Sequence, residues 1–247
     1  MKTKLINNFI KFDKNIISNE DKNIVELWFC IRYAVYYNSL SKNYFKLKPK
    51  NYLKLISKFF FQVLQTLKII LFIFKKKKIL EIDVVRHKIY GKKKNSTISH
   101  ILQKNNFDFA TISLSSSSKI FDKKINIVLL VHLVHIFLKI YIKINKGYLP
   151  HLSLVEKKFN YFFRNKKKVD FLNIYKSIYL QQVAILFIIK FFIKLFGSKK
   201  IIYLENPSLT KLIQFCGKKS IETFDVQHSM VSNLNILNKF YKNKKYD

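Results

Sequence analysis

Apolar and polar positions follow two different periods along this chain. Over roughly the first 74 residues the apolar positions recur at helical spacing, densest in WFCIRYAVYY at 28–37. Residues 19–40 predict a helix with acids early and a cap at Ser18 or Asn19. Pro49 breaks the pattern, and residues 51–74 predict another long helix. Four lysines at 75–78 then hand over to ILEIDVV at 79–85, a short β-branched run that predicts a strand. A basic loop, RHKIYGKKKNS at 86–96, leads to a helix over 97–104, a second strand in FDFATISLS at 107–115 and a loop in SSSS at 115–118.

A helix over about 123–144 is expected to end at GYLP, 147–150, and two more cover about 153–165 and 170–196. Gly197 is well placed as the C-terminal stop of the last. KKIIYLE at 199–205 predicts a third strand, Pro207 opens the short helix PSLTKLIQFC, Gly217 closes it, and IETFDVQ at 221–227 predicts a fourth strand. Strand, helix and strand within about thirty residues form a βαβ unit, which implies parallel pairing. The expected class is α/β: a small, mostly parallel Rossmann-like sheet with many helices. A helical region, 1–78, would pack on a Rossmann-like domain, 79–247.

Three stretches are apolar enough to raise a membrane. Residues 59–74 carry Gln62, Gln65 and Lys68; residues 125–144 carry His132, His135, Lys139 and Lys143; residues 178–196 carry Gln181, Gln182, Lys190 and Lys194. A span needs about 20 mostly apolar residues, and a central lysine costs about 2.5–3.5 kcal/mol. Lys139 and Lys143 lie four apart, as do Lys190 and Lys194, so each pair shares one helix face. Buried or interfacial amphipathic helices are therefore expected rather than spans.

Charge sharpens that expectation. The 247 residues hold 47 Lys plus Arg against 14 Asp plus Glu, a formal net charge of +33. Codon drift explains part of it, since Lys, Asn, Ile, Phe and Tyr crowd the chain, but the field still draws anionic partners. With no signal peptide read at MKTKLINNFIKFDKNI, the expected location is cytoplasmic, peripheral on the inner face of the cell membrane. Hydrophobic residues at 49% exclude wholesale disorder, and two separated cysteines, Cys30 and Cys216, argue against a disulfide framework or a zinc site. Nucleic acid ranks last as a partner, because the chain shows no helix-turn-helix, RNP-like strand or zinc knuckle.

Ligands of parallel sheets bind beyond the carboxyl ends of the strands. His228 follows the fourth expected strand, and Ser229 and Ser232 lie just after it. Glu205, Asn206 and Ser208 belong to the preceding βα loop at the same edge, and Arg86 and His87 follow the first strand. Neutral imidazole there can take a proton from a hydroxyl or donate to a phosphate. Spacing alone favours His228 as a structural hydrogen-bonder, the usual part of a lone histidine at a strand end. His132 and His135, three apart on a helix, read as core or interface histidines or as half a metal site that lacks an acidic partner. Asp83 and Asp225, within strand patterns, either orient a histidine or face solvent.

The run IIYLENPS, LTKLIQFCGKKS, IETFDVQHS and then Tyr241 resembles the end of the N-terminal domain in two-domain, GT-B-like bacterial glycosyltransferases of capsule and lipopolysaccharide synthesis and their CDP-glycerol polymerase relatives. Their strand–helix–strand pattern runs into a Gln-His-Gly motif, matched here by Gln227, His228 and Ser229. Serine replaces the glycine that would permit positive φ. The specific resemblance covers residues 199–241, the last fifth of the chain. It implies sugar transfer from a nucleotide-sugar donor to a glycan or lipid-linked acceptor, with His228 as acceptor-side base or phosphate contact and Gln227 orienting it. It also implies that this chain binds no cofactor itself. The donor would sit on a second nucleotide-binding domain, before which the chain is expected to be truncated, or on a separate protein. Whether this chain acts alone stays open. The alternative is a non-catalytic basic protein of the membrane surface, or a partner-binding one.

Overall fold

The computed structural model describes residues 2–40, 63, 77–83, 97–114, 124–144, 149–164, 169–204 and 206–226. Among them are seven α-helices: α1 (Lys2–Asn19), α2 (Lys22–Leu40), α3 (Thr97–Lys104), α4 (Val128–Ile144), α5 (Leu149–Phe162), α6 (Phe171–Phe196) and α7 (Thr210–Lys218). Five strands accompany them: β1 (Ile79–Asp83), β2 (Phe109–Ser113), β3 (Lys124–Asn126), β4 (Lys200–Leu204) and β5 (Glu222–Val226). The chain forms two compact units, each drawn from separate stretches: 1–49, 134–184 and 207–211 in the first, 50–133, 185–206 and 212–247 in the second.

The second unit holds the whole sheet, ordered β3-β2-β1-β4-β5 with every neighbouring pair parallel. The α/β, Rossmann-like class expected from the sequence is the observed one. Side chains alternate across β1. Leu80 and Ile82 lie on one face, while Ile79 packs on the other against Ile98 and Leu102 of α3, with Phe109 and Ile202 beside them. β5 is an exposed edge strand along its length, and its Glu222 pairs with Lys200 of β4 at 3.1 Å.

Strands are present within each of the expected stretches 79–85, 107–115, 199–205 and 221–227, as β1, β2, β4 and β5. β3 departs from the sequence pattern, which predicts a helix starting near 123. Ile125 and Ile127 are buried at the end of the sheet, and Asn126 stops the strand by accepting the Val128 N–H at 2.9 Å on its side-chain oxygen. Asp21, rather than Ser18 or Asn19, caps α2, accepting the N–H groups of Asn23 and Ile24 at 2.9 and 3.0 Å. Pro150 sits in the first turn of α5 instead of ending a helix, a place where its missing N–H costs nothing. Gly197 does stop α6, with φ of 65°. Gly217 lies inside α7, and Ser220, with φ of 53°, makes the turn into β5. Of the helix expected over 51–74, only Val63 is among the described residues, and it is helical.

The first unit is held by aromatic packing. Phe12 meets Trp28 and Phe159 edge-on at 5.2 and 5.4 Å between ring centroids, and Phe9 meets Tyr36 edge-on at 5.0 Å. Within that core the buried Asp13 carboxylate accepts from Trp28 Nε1 at 2.7 Å and from Arg32 at 3.2 Å. Residues Tyr175–Tyr179 of α6 form a π-helical turn. His135 Nε2 donates to its Lys176 carbonyl at 2.8 Å, so His135 acts as a structural hydrogen-bonder.

Candidate functional site

The strand order contains a switch. The chain runs from β1 outward through β2 to β3, then returns to add β4 on the other side of β1 and β5 beyond it. Open parallel sheets bind ligands outside the carboxyl ends at such a point, here β1 and β4.

Register fixes what lies beside that point, on β1, β2 and β3, while β4 places the apolar Ile202 next to Glu81. Glu81 pairs with Thr111 and Thr111 with Lys124; Asp83 pairs with Ser113 and Ser113 with Asn126. Since partners in register share a face, six polar side chains form two rows on the α3 side, the second row being the last residues of three strands. Strands covered on both faces are normally continuous apolar runs, so this block is unusual. It is also buried: Glu81 and Ser113 are inaccessible and Asp83, Thr111 and Asn126 nearly so.

A buried carboxylate is tolerated only with compensating partners. Glu81 has them. Thr111 donates to one carboxylate oxygen at 2.6 Å, and the Ser99 hydroxyl of α3 lies 2.7 and 2.6 Å from the two oxygens. Asp83 forms a buried ion pair with Lys124. The amide oxygen of Asn126 is engaged at the start of α4. Beneath the carboxyl ends of β1, β2 and β3 the buried polar groups thus answer one another, Asp83 through Lys124 and Glu81 through two neutral hydroxyls.

Of the residues singled out from sequence, Asn206 is buried two positions beyond β4, and Ser208 is half-buried in the 3-10 turn Pro207–Leu209. Both have polar or ring partners of their own. Arg86, His87, Glu205, Gln227, His228 and Ser229 lie outside the described residues. Chain order still attaches each to a strand end: Arg86 is three residues past Asp83, Glu205 follows Leu204, and Gln227 follows Val226. Asp83 does not face solvent, whereas Asp225 is exposed. His132 is exposed on α4, and no group of three or more His, Cys, Asp or Glu among the described residues could hold a metal ion.

Glu81, Ser99, Thr111, Ser113, Lys124 and Asn126 were not picked out from sequence. The signal was present: acids two apart in ILEID and hydroxyls two apart in ATIS point to one face of each strand. No family model, no curated protein and no solved structure matches the chain. The fold is that of a Rossmann-like α/β protein with a buried polar block under the carboxyl ends of three strands.

Proposed function

We propose that this chain supplies the acceptor-side half of a glycosyltransferase of cell-surface polysaccharide synthesis, using a nucleotide sugar. One observation carries the reading. β1, β4 and β5 are adjacent and parallel, and their carboxyl ends lead into the three segments that hold Arg86 and His87, Glu205 and Asn206, and Gln227, His228 and Ser229. The resemblance of residues 199–241 to GT-B-like enzymes supports it, as does the β4–α7–β5 unit that this stretch forms.

In this reading His228 takes the proton of an acceptor hydroxyl as that oxygen bonds to the anomeric carbon of the donor sugar. The bond from that carbon to the phosphate oxygen breaks, and the nucleotide leaves with the electron pair. Gln227 orients the imidazole. Arg86 and His87 meet negative charge on the acceptor, and Asn206 contributes a hydrogen bond. A second α/β domain, on the same polypeptide or another, holds the donor phosphates.

The test is label incorporation from a panel of radiolabelled nucleotide sugars into polysaccharide, using membranes of cells expressing the complete gene product. His228→Ala should abolish one incorporation at unchanged protein level, and Asn206→Ala should weaken the same one. Incorporation that persists in His228→Ala overturns the reading.

A further inference from the structure

Helix α4 leaves a large apolar face uncovered. Leu133, Ile136, Phe137, Ile140 and Tyr141 are each 47–66% exposed. Their spacing, three, four, seven and eight residues from the first, sets them on a single stripe of the helix. Val131 and Ile142, on the opposite side, are buried. A soluble monomer seldom exposes a contiguous apolar stripe of this kind without use for it.

The polar residues of α4 indicate what covers the stripe. The helix contains no acid. His132 and Lys139, both exposed, lie seven residues and so about two turns apart, along one border of the apolar stripe. The exposed face of α6 repeats the theme, with Phe187, Lys190, Phe191 and Lys194 all exposed at three-, four- and seven-residue offsets and no acid anywhere in the helix. An apolar stripe bordered by lysine and histidine, with no acid in the helix, fits a helix lying in a bilayer interface, the lysine stem reaching to headgroups.

We infer that α4 docks the protein on an anionic lipid bilayer through Leu133, Ile136, Phe137, Ile140 and Tyr141. Charge decides for lipid over a second copy of the chain. Two copies at +33 repel each other, whereas an anionic leaflet attracts each. The inference does not depend on transfer chemistry, and its test reads lipid binding alone.

Co-sedimentation of the full chain with phosphatidylcholine vesicles, with and without phosphatidylglycerol, measures it. The wild type should bind the anionic vesicles, less so as salt rises, and bind the neutral ones weakly. Phe137→Ser combined with Ile140→Ser should lower partition onto anionic vesicles at least about tenfold. Phe137→Trp, which keeps the bulk, is read separately: its emission should shift to the blue when anionic vesicles are added, against the constant signal of buried Trp28. Unchanged binding by the double serine variant overturns the inference, and so does Phe137→Trp emission that ignores vesicles. In the second case ultracentrifugation assigns the stripe to a second copy if the chain dimerises. It assigns the stripe to the apolar residues 51–74 of the same chain if it does not.

Discussion

Both units bury charge, but they do so differently. In the first, Asp13 meets Arg32 and the Trp28 indole inside an aromatic core, with all three on helices that follow one another in sequence. The donors come from one helix and the acceptor from the other, so the cluster ties α1 to α2. In the second, Glu81 and Asp83 sit on a strand, and their partners come from α3, β2 and β3. That block extends to the last residues of its strands, where a parallel sheet meets its ligands. Buried polarity thus joins two helices in one unit and reaches the carboxyl ends of three strands in the other.

Breaking each cluster tests the contrast, and the larger effect belongs to the first unit. Asp13→Ala leaves a buried guanidinium and an indole N–H unanswered, and should cost about 3–5 kcal/mol in urea unfolding. Replacing the pair together, Asp13→Leu with Arg32→Met, should recover most of that loss, because apolar packing substitutes well for a closed ion pair. A double variant no better than Asp13→Ala would mean that the aromatic core depends on the charges themselves.

Glu81→Ala should cost less, about 2–3 kcal/mol by the same measurement, because it orphans the neutral hydroxyls of Ser99 and Thr111 rather than a charge. Glu81→Gln, which keeps an acceptor for one of them, should cost about 1 kcal/mol. If Glu81→Ala proved as damaging as Asp13→Ala, the two clusters would be equivalent packing devices and the contrast would fall.

The sheet was largely legible because its strands are short β-branched runs bounded by lysine, glycine or serine. β3 was not, because three residues give no period and its KIN runs straight into an apolar helix. The polar block escaped for a different reason. An acid every second residue looks the same whether its face meets solvent or a helix, and only register with β2 and β3 shows Glu81 and Asp83 facing α3 and its neighbours. In the same way, the stripe of α4 is plain as a helical period in sequence. That it stays uncovered is a property of the packing. Residues 227–229 follow β5 in the chain, and a strand at 221–227 is what the sequence predicts.

The thiols give the smallest effect and compare the two units directly, since Cys30 belongs to the first and Cys216 to the second. Burial pushes Cys30 up to about 12, with Lys211 opposing it weakly, and burial pushes Cys216 up to about 12 as well. The unfolded thiols ionise near 9.0, so between that pH and about 12 the unfolded chain has lost protons that the folded chain keeps. Stability therefore falls as pH rises through this window and is unaffected below it. At about pH 9.5 the loss should stay below about 1 kcal/mol for each thiol, visible as a shift of the urea midpoint that Cys30→Ser or Cys216→Ser reduces. Iodoacetamide should label neither cysteine in the native protein at pH 8, and both once urea opens the chain. Labelling of Cys30 at lower urea than Cys216 would show the aromatic unit opening before the sheet, and the reverse order would show the sheet to be the weaker of the two.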